Sequence, residues 1–145
     1  MATARSTAVT AADVMTLSPR TCSPFSTVLE AVLIFRDADC GAVPVVDAGV
    51  PVGILTDRDV ALALAEHPNV SDLPVSEVMT KGVVTVTPAT PLDALKEQFA
   101  SHGVRRLLVA EADGLLVGII AWADVAPRLP DVEVGEVVSE VVQQP

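Results

Sequence analysis

The sequence predicts an α+β fold made of a β-α-β-β-α unit that occurs twice. The first observation behind this prediction is a pair of repeated motifs. DVMT at 13–16 returns as EVMT at 77–80, and VPVVD at 43–47 returns as LLVAE at 107–111. Both pairs are 64 positions apart, and a fixed period of this kind is typical of a repeated structural unit. The second observation is that β-prone and helical stretches follow each motif in the same order.

The two copies differ in length by one residue. Gly53 and Gly118 stand 65 positions apart, so one residue is inserted in the second copy, near 111–115. A third stretch similar to the DVMT motif, EVVS, occurs at 136–139. The predicted organisation is repeat 1 over 11–70, repeat 2 over 75–142 and a flexible segment over 1–10.

Each copy begins with a short β-prone stretch followed by an amphipathic helix. In the second copy Leu92, Leu95 and Phe99 recur at helical spacing, while charged residues fall elsewhere on the helical wheel. Ser26 and Thr90 are the predicted N-caps, because a hydroxyl can accept an N–H group of the first turn. The predicted β stretches are 20–23 and 83–87, and the predicted helices are 26–38 and 90–102.

Each copy then continues with two strands, a tight turn between them and a last short helix. Ala48-Gly49 and Asp113-Gly114 are the turn signals, because glycine adopts positive φ without steric cost. The predicted strands are 43–47 and 51–56 in the first copy and 106–110 and 115–120 in the second, with the last helices beginning near 57 and 122.

A half of about 60 residues buries too little surface to be comfortably stable alone. Strands such as VPVV are apolar on both faces, so each sheet is expected to be covered by its own helices and by the other copy. We therefore expect the tandem repeats to pack face to face about a pseudo-twofold axis, as one module with a shared cleft.

Composition favours a soluble, cytoplasmic protein. Hydrophobic residues make up 50% of the 145 residues and charged residues 19%. The longest apolar run, 114–123, is far shorter than the ~20 residues of a membrane-spanning helix, and the N-terminus has no signal-peptide core. A net charge of −10 argues against nucleic-acid binding, but one phosphate could still bind beside a local pair of arginines.

No catalytic or metal centre is expected. Cys22 and Cys40 lack CxxC spacing and are interpreted as buried apolar residues, with a disulfide as the alternative. The two histidines, His67 and His102, are isolated in the sequence. Trp122 follows the last strand and is expected to serve in packing or a dimer contact rather than in base stacking.

The β-α-β-β-α repeat, the DVMT segment, the VPVVD strand and GILTDRDV at 53–60 together resemble the CBS domain, named after cystathionine β-synthase. The resemblance covers about 11–142 and implies that the two repeats form one pseudo-symmetric module. Such modules commonly bind an adenine nucleotide or a related adenosyl compound between the repeats, and two modules often join in a disc-shaped homodimer. Others bind no known ligand and serve as interaction modules.

The resemblance implies a main site built on the Thr-x-x-Asp sequence formed by Thr56 and Asp59. In this pattern the threonine and aspartate contact phosphate and ribose, and the other wall comes from the partner repeat. The implied main-site residues are Thr56, Arg58, Asp59, Thr87, Leu92, Arg105 and Arg106. The implied weaker mirror site is Asp124 with Ser23, Val28, Gly41 and Ala42, and it has Ala121 in place of the threonine.

The implied residues suit an adenosine phosphate, although each has an alternative role. Asp59 can accept ribose hydroxyls, while the expected free N–H groups of the following helix and the Thr56 hydroxyl would meet a phosphate. The alternative is a capping box of Thr56 and Asp59 that needs no ligand, and the two roles can coexist. Arg105 and Arg106 would add charge-assisted bonds, or form a solvated strand edge with only one of them pointing inward.

We therefore expect a stand-alone regulatory module that binds AMP, ADP, ATP or a related adenosyl compound and catalyses no reaction. The ligand would be regulatory, so no obligatory cofactor is expected. The alternative is a ligand-free homodimeric interaction module. The expected protein partners are a second copy of the chain and an unidentified effector.

Overall fold

The predicted helix-strand-strand-helix order recurs twice in the computed structural model, which describes residues 8–129. The predicted β stretch 83–87 contains a strand, whereas the predicted β stretch 20–23 is wrong: only Cys22 pairs there, in an isolated bridge to Val45. The helices are α1 (Ala11–Val14), α2 (Val28–Ala38), α3 (Asp57–Ala63), α4 (Leu92–His102) and α5 (Trp122–Val125). The strands are β1 (Thr16–Leu17), β2 (Ala42–Asp47), β3 (Val50–Thr56), β4 (Thr85–Val86), β5 (Arg106–Ala110) and β6 (Leu116–Ala121). Short 3₁₀ helices span Val70–Asp72, Val75–Glu77 and Ala126–Arg128. Most of the predicted flexible segment 1–10, and the EVVS echo at 136–139, lie outside the described residues.

The described residues fall into two compact units. Unit 1 comprises those within Met1–Leu17, Val84–Asp113 and Val117–Pro145, and unit 2 comprises those within Ser18–Val83 and Gly114–Leu116. Unit 1 is therefore the second repeat together with the N-terminal DVMT motif. Unit 2 is the first repeat together with the EVMT motif. Each repeat thus packs with the VMT motif that precedes the other repeat in the sequence.

A methionine packed on a glycine fixes each exchanged motif. In unit 2, a Cβ atom on Gly53 would lie 2.5 Å from Sδ of Met79 and 3.0 Å from the carbonyl oxygen of Thr80. In unit 1, a Cβ atom on Gly118 would lie 2.5 Å from Sδ of Met15. Because no side chain tolerates contacts this short, only glycine admits the methionine without a shift. In each unit, the repeated glycine therefore contacts the methionine of a repeated VMT motif.

The sheets differ in extent. In unit 2, β2 and β3 form an antiparallel hairpin whose turn residues, Ala48 and Gly49, have φ of 52° and 82°. Two consecutive positive φ angles match the right-handed twist of a hairpin, so the predicted turn is confirmed. In unit 1 the strand order is β1-β6-β5-β4, with β4 parallel to β5. The predicted α+β fold is confirmed.

Each unit has its own apolar core. The core of unit 1 is Ala11, Val86, Leu95, Phe99, Leu107, Val109, Ile120, Val125 and Leu129. The core of unit 2 is Cys22, Ala31, Val43, Val45, Leu55 and Val75. β2 contributes Val43 and Val45, and β5 contributes Leu107 and Val109, so each of these strands directs alternate residues into its core. The longest helices have 11 residues, and none in the described part of the chain is long and apolar enough to cross a membrane.

The predicted N-caps Ser26 and Thr90 are wrong. The N-cap of α2 is Thr27, whose side chain accepts a first-turn N–H at 3.2 Å, and α4 has no side-chain cap. Ser26 Oγ accepts the N–H of Ser23, and Thr90 Oγ1 accepts the N–H of Thr87, both at 3.1 Å. Each hydroxyl is thus directed at the preceding turn and not at the first-turn N–H groups of the helix that follows.

Candidate functional site

Thr56 and Asp59 form a complete capping box at the start of α3. Thr56 Oγ1 accepts the N–H of Asp59, and Asp59 Oδ2 accepts the N–H of Thr56, each at 3.0 Å. Both residues are half-buried. The alternative interpretation of this pair as a cap is therefore confirmed, and any ligand contact is an additional role.

The remaining N–H groups of the first turn of α3 are also occupied. The N–H of Asp57 donates to the carbonyl of Gly41 at 3.1 Å, and the N–H of Arg58 donates to Asp57 Oδ1 at 2.8 Å. The expectation of free N–H groups for a phosphate is therefore wrong, because all four donors from Thr56 to Asp59 have acceptors within the protein. Two carboxylates at this helix start further disfavour an anion there.

Asp59 keeps acceptor capacity after capping. A carboxylate offers about four lone-pair positions. Asp59 Oδ2 accepts the N–H of Thr56, and the hydroxyl of Thr80 lies 3.4 Å from both carboxylate oxygens, which is long for an O–H···O bond. The cap therefore orients the carboxylate and leaves Oδ1 able to accept a further donor. Thr80 was missed as a neighbour of this site, although its place at the end of the repeated VMT motif is a usable signal.

The second repeat keeps the carboxylate half of this arrangement. Asp124 Oδ2 accepts the N–H of Ala121 at 2.8 Å, and alanine has no hydroxyl to return the contact. The same contact occurs at α1, where Asp13 Oδ2 accepts the N–H of Thr10 at 2.8 Å. The aspartate at the third helical position thus satisfies a backbone donor at three helix starts.

Within unit 2, the small residues lie beside Thr56. The carbonyl of Gly41 accepts the N–H of Asp57, the residue after Thr56. Ala42 is the cross-strand partner of Thr56 in the β2–β3 ladder. The resemblance instead implied that Gly41 and Ala42 belong with Asp124.

Within unit 1, the arginines lie beside the start of α5. The N–H of Trp122 donates to the carbonyl of Arg105 at 2.9 Å, and Arg106 begins β5. Arg105 is exposed and Arg106 is half-buried, as strand alternation predicts. Among residues 8–129 the salt bridge present joins Arg36 to Asp37, so neither of these arginines forms an ion pair with a described residue. The immediate neighbours within each unit are therefore the reverse of the implied grouping.

The other implied residues also divide by unit. In unit 1, Thr87 is exposed with its hydroxyl 3.1 Å from that of Thr90, and Leu92 is half-buried at the start of α4. In unit 2, Ser23 is half-buried, and Val28 is 1% exposed, so its side chain offers a ligand no surface. Unit 1 therefore holds Thr87, Leu92, Arg105, Arg106 and Asp124. Unit 2 holds Ser23, Val28, Gly41, Ala42, Thr56, Arg58 and Asp59.

The cysteines are free thiols that pack as apolar residues. Cys22 is buried in the core of unit 2, and Cys40 is half-buried against the same core. The second repeat has valine at both equivalent positions, 86 and 104. Burial, with a smaller contribution from the charge of Glu30, raises the pKa of Cys22 to about 11. These observations favour the buried-residue interpretation over a disulfide.

Trp122 is a packing residue. Its ring meets that of Phe99 edge-on, with centroids 5.5 Å apart and ring planes at 68°. This arrangement is favoured by the quadrupoles of aromatic rings. The expectation that Trp122 serves in packing is confirmed.

Comparison with known proteins decides the family. A family model described as "CBS domain" matches residues 11–66 and 75–131, which is most of the chain. The chain belongs to the CBS domain family. The CBS domain-containing protein YhcV of Bacillus subtilis is 40% identical over 114 residues, which cover 79% of this chain and 81% of that protein. The predicted resemblance is confirmed.

Solved structures of CBS proteins share the fold. The crystal structure of CBSX2 in complex with AMP has a TM-score of 0.68 and 26% identity, and covers 82% of this chain and 94% of that chain. The CBS domain pair of protein MJ0100, in complex with 5′-methylthioadenosine and S-adenosyl-L-methionine, has a TM-score of 0.73 and 26% identity. That match covers 83% of this chain and 98% of the other.

Proposed function

We propose that this CBS pair is a regulatory module that binds an adenosine-containing ligand and catalyses no reaction. The observation that carries the proposal is the pair of equivalent carboxylates, Asp59 and Asp124, each held in place by the N-cap N–H of its helix. Related CBS pairs have been crystallised with such ligands, CBSX2 with AMP and MJ0100 with 5′-methylthioadenosine and S-adenosyl-L-methionine. Ligand occupancy would then alter shape or association and so reach an effector.

An oriented carboxylate suits the two vicinal hydroxyls of a ribose. The hydroxyls are donors, and a carboxylate oxygen that is not used in capping accepts them with charge-assisted bonds. Because the cap already fixes the side chain, less conformational entropy is lost when the ligand binds. Asp59 is half-buried and Asp124 is exposed, so both can meet a ligand from solvent.

The phosphate of a nucleotide is best matched by Arg105 and Arg106. A planar guanidinium presents paired donors to phosphate oxygens, and neither arginine forms an ion pair with a described residue. The start of α3 has its N–H groups occupied and carries two carboxylates. We therefore favour Asp124 as the partner of a phosphate-bearing ligand, and Asp59 as the partner of an uncharged adenosyl compound such as 5′-methylthioadenosine.

Thermal unfolding with added ligand tests the function. A ligand at 100 times its dissociation constant adds about 2.7 kcal/mol to the free energy of unfolding. AMP, ATP, 5′-methylthioadenosine and S-adenosyl-L-methionine are each added to the wild type and to Asp59→Asn and Asp124→Asn, since asparagine keeps an oxygen for the cap N–H. Asp13→Asn is the control, because Asp13 makes the same cap contact at α1. The absence of any shift at millimolar ligand would exclude the function.

The variants also decide between the two groupings. If Asp124 and the arginines hold one AMP, Arg106→Ala removes the same AMP response as Asp124→Asn, and the double variant loses nothing further. Asp59→Asn then retains the AMP response and loses that of 5′-methylthioadenosine. The opposite pattern, in which Arg106→Ala matches Asp59→Asn, would restore the grouping that the resemblance implies.

A homodimeric interaction module is the second candidate, and it is compatible with the first. The observation that favours it is a group of large apolar side chains exposed on unit 2, the largest of which is Phe25 at 78% exposure. Measuring the mass of the chain in solution without nucleotide tests this candidate separately from ligand binding.

A further inference from the structure

Capping leaves Asp59 with one carboxylate oxygen that has no backbone donor. Oδ2 accepts the N–H of Thr56 at 3.0 Å, and no backbone N–H of the described residues donates to Oδ1. Two vicinal hydroxyls of a ribose would have to share this one oxygen. A site that holds each hydroxyl separately therefore needs a second oxygen beside Oδ1.

The hydroxyl of Thr80 supplies such an oxygen. Thr80 Oγ1 lies 3.4 Å from Oδ1 of Asp59, and Thr80 is exposed, so a ligand can reach it from solvent. This separation is too long for a good O–H···O bond, so the two oxygens do not satisfy each other. It is close to the separation of two hydroxyl oxygens on neighbouring carbons, so one vicinal diol can contact both.

The backbone of Thr80 is fixed on β3, which holds its hydroxyl in place before a ligand arrives. The N–H of Thr80 donates to the carbonyl of Ile54 at 2.9 Å, and the N–H of Ile54 donates to the carbonyl of Thr80 at 3.0 Å. Met79, the preceding residue, packs against Gly53 on the same strand. Because Thr56 ends this strand, the hydroxyl and the capped carboxylate share one support, and less entropy is lost on binding.

The equivalent threonine of unit 1 does not make this contact. Thr16 stands 64 positions before Thr80 and pairs with the last strand of its unit in the same way. Within residues 8–129, however, no hydrogen bond joins Thr16 to Asp124, whose Oδ2 accepts the N–H of Ala121. Each unit thus presents a capped carboxylate, but in the described structure the VMT hydroxyl lies beside the carboxylate in unit 2 alone.

We propose that Thr80 is a further ligand-binding residue of unit 2, and that Asp59 and Thr80 each bind one of two vicinal ribose hydroxyls. The inference rests on the proposed function, and it gives the Asp59 site a preference for ligands that keep both hydroxyls. Asp59 Oδ1 accepts one hydroxyl hydrogen, and Thr80 Oγ1 donates to or accepts from the other hydroxyl. The N–H groups from Thr56 to Asp59 take no part, because each already has an acceptor within the protein.

Calorimetric titration with 5′-methylthioadenosine, its 2′-deoxy form and its 3′-deoxy form tests the proposal. The proteins are the wild type, Thr80→Val, Thr80→Ser and the matched control Thr16→Val. Valine keeps the shape of threonine without the hydroxyl, whereas serine keeps the hydroxyl. We expect Thr80→Val to weaken the binding of 5′-methylthioadenosine by about 3- to 10-fold, while Thr80→Ser and Thr16→Val retain the wild-type affinity.

The deoxy forms show whether Thr80 acts on the ligand or only on the protein. In the wild type both deoxy forms should bind more weakly than 5′-methylthioadenosine. In Thr80→Val one of these two losses should vanish, because the protein partner of that hydroxyl is already missing. If Thr80→Val weakens all three ligands by the same factor, or if the wild type discriminates against one deoxy form only, the inference is overturned.

The same titrations separate this inference from the function on which it rests. A wild type that does not bind 5′-methylthioadenosine would overturn both. Wild-type binding that Thr80→Val leaves unchanged would overturn the inference alone. Tighter binding by Thr80→Val would also overturn it, because Thr80 would then compete with the ligand for Asp59. Thr80 is exposed, so both of its substitutions are expected to retain the fold.

Discussion

In unit 2 the helix after the last strand starts at a threonine, and in unit 1 the equivalent helix starts at an alanine. The carboxylate contact is the same in both: Asp59 accepts the N–H of Thr56, and Asp124 accepts the N–H of Ala121. The hydroxyl contact exists only in unit 2. The aspartate is thus the shared structural part of the motif, and the threonine is an addition that one unit does without.

The helices of the two units differ in how far they bury their aromatic side chains. Unit 1 buries Phe99 completely and packs Trp122 against it, whereas the equivalent Phe35 in unit 2 is half-buried. Unit 2 in turn exposes large apolar side chains, among them Phe25, Leu29 and Leu33. We infer that Phe99 contributes more to the stability of unit 1 than Phe35 contributes to that of unit 2.

The largest expected effect comes from the two phenylalanines. Phe99→Ala should lower the free energy of unfolding by about 3–5 kcal/mol, because it removes a fully buried ring and its edge contact with Trp122. Phe35→Ala should cost less than about 3 kcal/mol, because that ring is already partly exposed. Urea unfolding of both variants measures the difference, and equal costs would contradict the inferred difference between the units.

Cys22 should make stability fall at alkaline pH. Its thiol ionises near pH 8.5 in an unfolded chain, and burial raises its pKa to about 11 in the folded chain. Between these values the unfolded state loses the proton and the folded state keeps it, so the free energy of unfolding falls by up to about 3 kcal/mol. Cys22→Val, which copies the valine at 86, should remove this fall. The sequence has no tyrosine to obscure the measurement. If Cys22→Val leaves the pH dependence of the unfolding free energy unchanged, ionisation of Cys22 is not the cause of the fall.

The two glycines under the methionines should differ in tolerance. Gly53→Ala would meet both Met79 Sδ and the backbone carbonyl of Thr80, so we expect a loss of about 1–3 kcal/mol. At Gly118 the three atoms nearest to an added Cβ all belong to the side chain of Met15, and the two closest, Sδ and Cγ, can move by a change of rotamer, so Gly118→Ala should cost less. Thermal unfolding of the two variants compares them, and a larger loss at Gly118 would be inconsistent with these contacts.

The smallest expected effect is an exchange of caps. Thr56→Ala should cost about 1 kcal/mol of unfolding free energy, because it removes the hydroxyl that accepts the N–H of Asp59. Ala121→Thr should recover up to about 1 kcal/mol in unit 1 by completing the capping box with Asp124. If Ala121→Thr destabilises the protein instead, the two helix starts are less equivalent than their backbones indicate.

The sequence predicted the hairpin strands, the turns and the Thr-x-x-Asp cap because these depend on local patterns. It failed at 20–23, where only an isolated bridge forms, and at Ser26 and Thr90, whose hydroxyls accept an N–H of the preceding turn. It also failed to predict that Met15 packs on Gly118 and Met79 on Gly53, because the order of motifs in a chain does not show which sheet edge each one reaches.

The candidate site residues came from the family resemblance, and their grouping differs in the structure. The neighbours of the aspartates and arginines depend on backbone hydrogen bonds that the spacing of residues in the sequence does not reveal. The N–H of Asp57 donates to the carbonyl of Gly41, and the N–H of Trp122 donates to the carbonyl of Arg105. Gly41 precedes β2 and therefore lies beside the start of α3, whereas Arg105 precedes β5 and lies beside the start of α5.

Calorimetric titration of the wild type with AMP and with 2′-deoxy-AMP tests most directly whether a fixed carboxylate holds a ribose. Hydrogen bonds to a charged group contribute about 1.5–3 kcal/mol, so AMP should bind at least about tenfold more tightly than 2′-deoxy-AMP. Asp124→Asn should abolish that preference and Asp13→Asn should preserve it. Equal affinities for the two nucleotides, or no binding of either at millimolar concentration, would contradict the account.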